Sequence, residues 1–198
     1  MTRSITYVDV FRPGFIRRQA AYDLSVVLAA SFFVALLAQV SIRLPFTPVP
    51  ITGQTFAVLF IGLLLGSRRG AYAILLYLGE GLVGLPVFAG GAAGPAYLLG
   101  PTGGYLLGFV GAAFLTGLCA ERGWDRHFLK SLAALAAGNL VIFFCGALWL
   151  SLFVGRRNVW TAGVWPFLPG MVLKTFAAAI LLPAGWRLVG KGRFPDKD

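Results

Sequence analysis

Charge is scarce in this sequence, and acid scarcest of all: 7 Asp and Glu stand against 17 Lys and Arg, and charged residues make up only 12% of the 198. A soluble domain carries roughly 25%, so a water-facing shell around one core is excluded. Histidine occurs once and cysteine twice, at Cys119 and Cys145, with no CxxC spacing. Neither a metal cluster nor a disulfide framework follows from that set, and both thiols are expected to pack as small apolar groups. No GxxxxGK[ST] loop is present to cradle a nucleotide's phosphates. The net charge of +10 does not point to nucleic acid, because the basic residues flank apolar runs instead of lining one polar face. Ahead of the first long apolar run stand Asp9, Arg12, Arg17 and Arg18, without the short apolar core and small-residue site of a cleaved leader. No cleavage is expected.

What is abundant is apolar. Hydrophobic residues reach 58% and mean hydropathy is +0.81, the composition of an integral membrane protein. At about 20 apolar residues per crossing, the chain has room for about six spans and no separate soluble domain. The runs predict an all-α six-helix bundle, a single transmembrane domain over 1–198, with spans near 24–40, 54–66, 71–84, 104–120, 128–153 and 170–186. The second is short for a full crossing. Gly66-Ser67-Arg68-Arg69-Gly70 reads as a basic turn after it, and Arg156, Arg157, Trp160, Trp165 and Phe167 as an interfacial stretch before the last span. FRPGFIRR mixes arginine with aromatics as interfacial segments do.

Two irregular stretches break the apolar pattern, LPFTPVPITGQT from Leu44 and GLPVFAGGAAGPAYLLGPTGGYLLGF up to Phe109. Unpaired backbone groups cost several kcal/mol each in hydrocarbon, so these stretches must be buried in protein or line a polar cavity. They are read as walls of a ligand site. Of the seventeen basic residues, thirteen fall in the N-terminal arm, the connections 2–3 and 4–5 and the tail; Arg43, Arg156 and Arg157 fall on the opposite side. The positive-inside rule then puts both termini in the cytoplasm and the proline- and glycine-rich loops outside.

Four motifs, PFTPVPITGQTFAVL at 45–59, GLPVFAGG at 84–91, GPTGGYLLGF at 100–109 and PFLPGMVLK at 166–174, resemble the BioY biotin transporters in order and spacing over nearly the whole chain. The resemblance implies the substrate-capture (S) component of an energy-coupling factor importer, a multi-pass protein of the cell membrane. It implies biotin as ligand, no cofactor, and a partner module of one coupling transmembrane protein and two ATPases. ATP use would belong to those partners, in keeping with the missing phosphate loop. One position departs: the family commonly carries PGDxxK, and here Met171 stands where the aspartate would be, while Lys174 is retained.

Biotin presents a cyclic urea, an apolar thiophane ring and a carboxylate. Lys174 is the first candidate, since an ionisable residue within a span is a functional hypothesis by default; its plainer role is a snorkelling lysine. Thr52 and Gln54 suit the ureido group or cap the second helix. Thr102, Gly103, Gly104 and Tyr105 open the fourth helix, where free amides face an anion or a urea oxygen or simply start the helix. Asn139 reaches the site or bonds a neighbouring helix. Tyr97, Phe88 and Phe46 are candidate apolar walls or packing. Glu80 is the intramembrane acid available to stand in for the family aspartate beside Met171, and Arg43 is a headgroup contact or an aid to carboxylate capture.

In the first span, Ser25 with Ala29 and Ser31 with Ala35 place small residues four apart, where another helix can approach closely; the resemblance assigns this face to the coupling protein. The leading expectation is biotin capture in a site open to the outside and capped by the first loop. A changed pocket around Met171 leaves open another small vitamin. An intramembrane enzyme using Glu80 and Lys174 as acid and base is the contrasting class, disfavoured because no nucleophile or metal ligand accompanies them and His127 lies in the opposite turn.

Overall fold

The computed structural model describes residues 6–10 and 19–193. The FRPGFIRR segment and the end of the basic tail lie outside the described residues. The helices are α1 (Tyr7–Val10), α2 (Gln19–Gln39), α3 (Gln54–Leu65), α4 (Ser67–Leu82), α5 (Pro95–Leu99), α6 (Gly103–Ala120), α7 (Phe128–Val154) and α8 (Leu168–Arg193). The bundle is organised around α6, 67% of whose apolar stretch is buried against 28% in α2, α7 and the last long helix. Its glycines explain the difference. A Cβ on Gly117 would stand 2.3 Å from the Ser67 nitrogen, and one on Gly104 would stand 2.6 Å from the Cys145 carbonyl. Lacking side chains there, α6 meets the α3–α4 corner on one flank and α7 on the other, backbone to backbone.

Among the described residues, four helices are long and apolar enough to cross a membrane: Gln19–Gln39, Gly103–Ala120, Phe128–Val154 and Trp160–Leu188. The helices at the second and third expected spans are shorter, with 12 residues in α3 and 16 in α4, about 18 and 24 Å at 1.5 Å per residue against a core of about 30 Å. The basic stretch after α3 is no loop. Gly66 alone (φ 85°) joins the two helices, and Arg68 and Arg69 already belong to the first turn of α4. The corner is held from α6, whose Glu121 carboxylate accepts the Ser67 amide at 2.9 Å and hydroxyl at 2.7 Å, an acid at the helix N-terminus where free amides favour one.

The first irregular stretch is a hairpin. Strands β1 (Ser41–Ile42) and β2 (Ile51–Thr52) pair antiparallel, Ser41 opposite Thr52 and Ile42 opposite Ile51, a small exception to the all-α expectation. Thr47 in its tip is buried and donates its hydroxyl to the Ala162 carbonyl at 2.6 Å. The second irregular stretch pairs its backbone with itself and with the end of α4, with Phe88 N–H on the Ala92 carbonyl (2.9 Å) and Gly94 N–H on the Gly81 carbonyl (2.7 Å). Phe88 is fully buried beneath it, its ring 5.2 Å from Tyr97 and 5.6 Å from Tyr77. After Gly155 (φ 76°) ends α7, a π-helical turn, Trp160–Val164, and a short 3₁₀ turn, Trp165–Phe167, lead into α8.

Candidate ligand site

Where β2, the start of α3, the α5–α6 junction, mid-α7 and the first turns of α8 converge, they line a small cavity of about 50 Å³. One wall is aromatic: the rings of Tyr105, Phe143 and Phe167 lie 6.2 to 6.4 Å from one another, with Phe109 and Ile142 deeper. The opposite wall is the polar junction of β2 and α3.

At that junction the half-buried Lys174 ammonium donates to the Thr52 carbonyl at 2.5 Å and to the Thr55 hydroxyl at 3.3 Å. Both partners are neutral. No Asp or Glu lines the cavity, so nothing in its wall balances the ammonium. Buried Gln54 gives an amide hydrogen to the Tyr77 hydroxyl at 2.6 Å and accepts from the Thr52 hydroxyl at 2.9 Å; Tyr77 passes its own proton to the Val87 carbonyl at 3.0 Å. This chain of bonds sets the side chain against the second irregular stretch. Buried Asn139 donates to the Leu135 carbonyl and the Thr175 hydroxyl, each at 3.0 Å. Its two amide hydrogens are thereby occupied, and its oxygen is what it has to offer a ligand. Tyr105 donates to the Gly163 carbonyl at 2.7 Å, which leaves its oxygen as an acceptor.

The structure gathers most of the candidates from the sequence around this one cavity. Thr52, Gln54, Tyr97, Thr102, Tyr105, Asn139, Met171 and Lys174 all line it. Three do not. Gly103 is a packing position, where a Cβ would run into the Leu98 carbonyl; Phe88 lies behind Tyr97; and Glu80 is engaged elsewhere, accepting the Ser31 hydroxyl at 2.6 Å across α2 and α4. Glu80 therefore neither stands in for an aspartate beside Met171 nor pairs with Lys174 as acid and base. The four small residues of the first span also part company. Ser25 and Ala29 are exposed, whereas Ser31 and Ala35 are buried in the bundle, because six residues at about 100° each turn Ser31 well away from Ser25. A docking surface along α2 can include the first pair only.

Sequence reading missed Thr55, Phe109, Phe143 and Phe167. Phe109 and Phe143 sit in runs apolar on every side, with no stripe to mark an inward face, and Thr55 directly follows Gln54, itself a candidate. Phe167 was grouped with the interfacial Trp160 and Trp165; both tryptophans are 63% exposed, but Phe167 is half-buried and turns to the cavity. Its position two residues ahead of the Pro169-Gly170-x-x-x-Lys174 run is the available signal.

Long apolar helices around one cavity that joins an aromatic wall to an uncompensated ammonium define a multi-pass membrane protein with a small-molecule site. Residues 10–191 match the BioY family, and the chain belongs to it. It is 42% identical over 158 residues to a probable biotin transporter BioY of Pyrococcus horikoshii, covering 78% of this chain and 92% of the relative. To a biotin transporter BioY of Rhizobium etli it is 38% identical over 162 residues, covering 78% and 87%. A crystal structure of the S component for biotin from an ECF-type ABC transporter superposes with a TM-score of 0.75 at 27% identity, over 88% of this chain and 95% of the other. The chain is a transport protein of this kind and not an enzyme.

Proposed function

We propose that this chain is the biotin-capturing S component of an energy-coupling factor importer, with biotin held in the cavity described above. The observation that carries the reading is Lys174. An ammonium in an apolar helix, given only a carbonyl and a hydroxyl, is costly unless an anion joins it, and the biotin carboxylate is such an anion. The acceptor oxygen of Asn139 and the hydrogen-bonding ends of Gln54 and Thr52 suit the N–H groups and carbonyl of the cyclic urea. The thiophane ring fits the wall of Tyr105, Phe143 and Phe167.

In this reading the six apolar helices α2, α3, α4, α6, α7 and α8 form the membrane body, with α3 and α4 completing their crossings through the segments that flank them. Both termini face the cytoplasm and the hairpin caps the site from outside. The exposed small residues Ser25 and Ala29 are available to a coupling transmembrane protein, and two ATPases complete the importer. The test is equilibrium binding of labelled biotin to the purified protein, with unlabelled biotin and other vitamins as competitors. Saturable binding displaced by biotin alone supports the proposal. Displacement by another vitamin in preference to biotin would replace it, and Met171 at the cavity wall would then mark the altered pocket.

A further inference from the structure

A second hollow lies on the outside of the bundle, on the far side of α7 from the ligand cavity. We propose that this groove between α6 and α7 binds one glycerophospholipid with an anionic headgroup, its phosphate on Arg156 and an acyl chain along the groove.

Side chains ordinarily fill the furrow between two packed helices. Here they do not, because Gly104 brings α6 against α7 and leaves the floor without a side chain, a Cβ there standing 2.1 Å from that of Trp149. The indole of Trp149 is fixed at one wall by its N–H on the Gly100 carbonyl at 3.0 Å. The rim is made by Leu107, Leu148 and Leu152, which are 50%, 65% and 76% exposed. On α7, Cys145, Leu148, Trp149 and Leu152 recur at three- and four-residue intervals, so the groove follows the helix axis.

Its length and its charge select the occupant. From Cys145 to the end of α7 at Val154 is roughly 14 Å at 1.5 Å per residue, close to half of a hydrocarbon core of about 30 Å. The groove therefore matches one leaflet, the one at the hairpin end. Just beyond that end stands Arg156, exposed and the sole charged residue of the lining, with Trp160 beside it at 63% exposure. A guanidinium matches a phosphate in geometry as well as charge, and a tryptophan there sits at headgroup level. An apolar hollow one leaflet deep, ending in a single cation, is complementary to an anionic lipid. A neutral helix of another protein would leave that cation unused.

The experiment is native mass spectrometry of the purified full chain, delipidated in detergent and then offered phosphatidylglycerol and phosphatidylcholine in equal amounts. The expected result is one retained lipid per chain, phosphatidylglycerol favoured by about fivefold or more. Arg156→Gln should bring that preference to within about twofold, Arg157→Gln, outside the lining, should leave it intact, and Leu148→Trp should reduce retention of both lipids. Melting of each variant in lipid-free detergent separates a lost site from a lost fold; should Leu148→Trp not fold, Arg156→Gln decides alone. Equal retention of both lipids by the unaltered protein, or an undiminished preference in Arg156→Gln, would overturn the proposal. So would a dimer whose interface covers Leu148 and Leu152.

Discussion

Among the described residues, the two partly buried cations are treated in opposite ways. Arg69, at the end of the bundle away from the hairpin, is met by Asp9 at 2.6 Å and Asp23 at 2.9 Å. Lys174, at the hairpin end, is met by a carbonyl and a hydroxyl. Neutralising Arg69 with two acids from different segments ties α1, α2 and α4 together, a structural use of charge. In the proposed reading, leaving Lys174 without an acid keeps a place for the ligand's carboxylate. In a chain with only 7 acidic residues, where they are spent separates architecture from function.

The contrast can be broken most directly at Lys174. Lys174→Ala should weaken biotin binding more than about tenfold, since truncating one partner of a hydrogen-bonded charge pair costs upward of about 2 kcal/mol; equilibrium binding measures it, and unchanged affinity would remove Lys174 from the site. Arg69→Met should do the reverse, lowering stability by roughly 1–2 kcal/mol by stranding two acids that are each about a third exposed, with biotin affinity unaltered. Melting curves and binding on the same preparation report both, and a binding loss without a stability loss would show that the two ends are not separate.

Met171→Asp sharpens the comparison by giving Lys174 the acid it lacks, three residues away on the same face. Affinity should rise or hold within about twofold if the family arrangement applies, whereas collapse would mean that this cavity relies on the ligand for its negative charge. The smallest effect concerns pH. Burial pushes the Asp9 carboxyl up, but hydrogen bonds from Thr6 and the Arg69 guanidinium outweigh it and hold the carboxyl below its ordinary range. A depressed carboxyl contributes stability above its unfolded-state value and loses it as pH falls through the folded one. Asp9→Asn should therefore melt earlier than the unaltered protein at neutral pH, with the gap closing on acidification below the carboxylate range.

What could be read from the residues alone follows from which signals are local. The start of α7 at Phe128 and of α3 at Gln54 were legible, because a polar turn or a glycine abuts an apolar run. The polar members of the cavity other than Thr55 were legible as well, because in hydrocarbon each polar group needs a reason. The rotation of each helix was not. Nothing along α2 distinguishes the face of Ser25 from that of Ser31 until α4 supplies Glu80, and nothing along α7 marks Phe143 as inward until Tyr105 and Phe167 are set beside it. The α3–α4 corner misled for a related reason: two arginines after a glycine look like a solvated turn unless Asp9 and Asp23, distant in sequence, are known to be waiting.

The π-helical turn at Trp160–Val164 has one more consequence. Two hydroxyls from remote parts of the chain, Thr47 at the tip of the hairpin and Tyr105 at the start of the central helix, end on the adjacent carbonyls of Ala162 and Gly163. The same turn runs through Phe167 into the helix that carries Met171 and Lys174. The hairpin tip, the aromatic wall and the lead into the helix of Lys174 thus meet at one turn. In the proposed reading the tip cannot lift without breaking its bond to the turn that leads into the helix of Lys174, which would couple opening of the site to that helix.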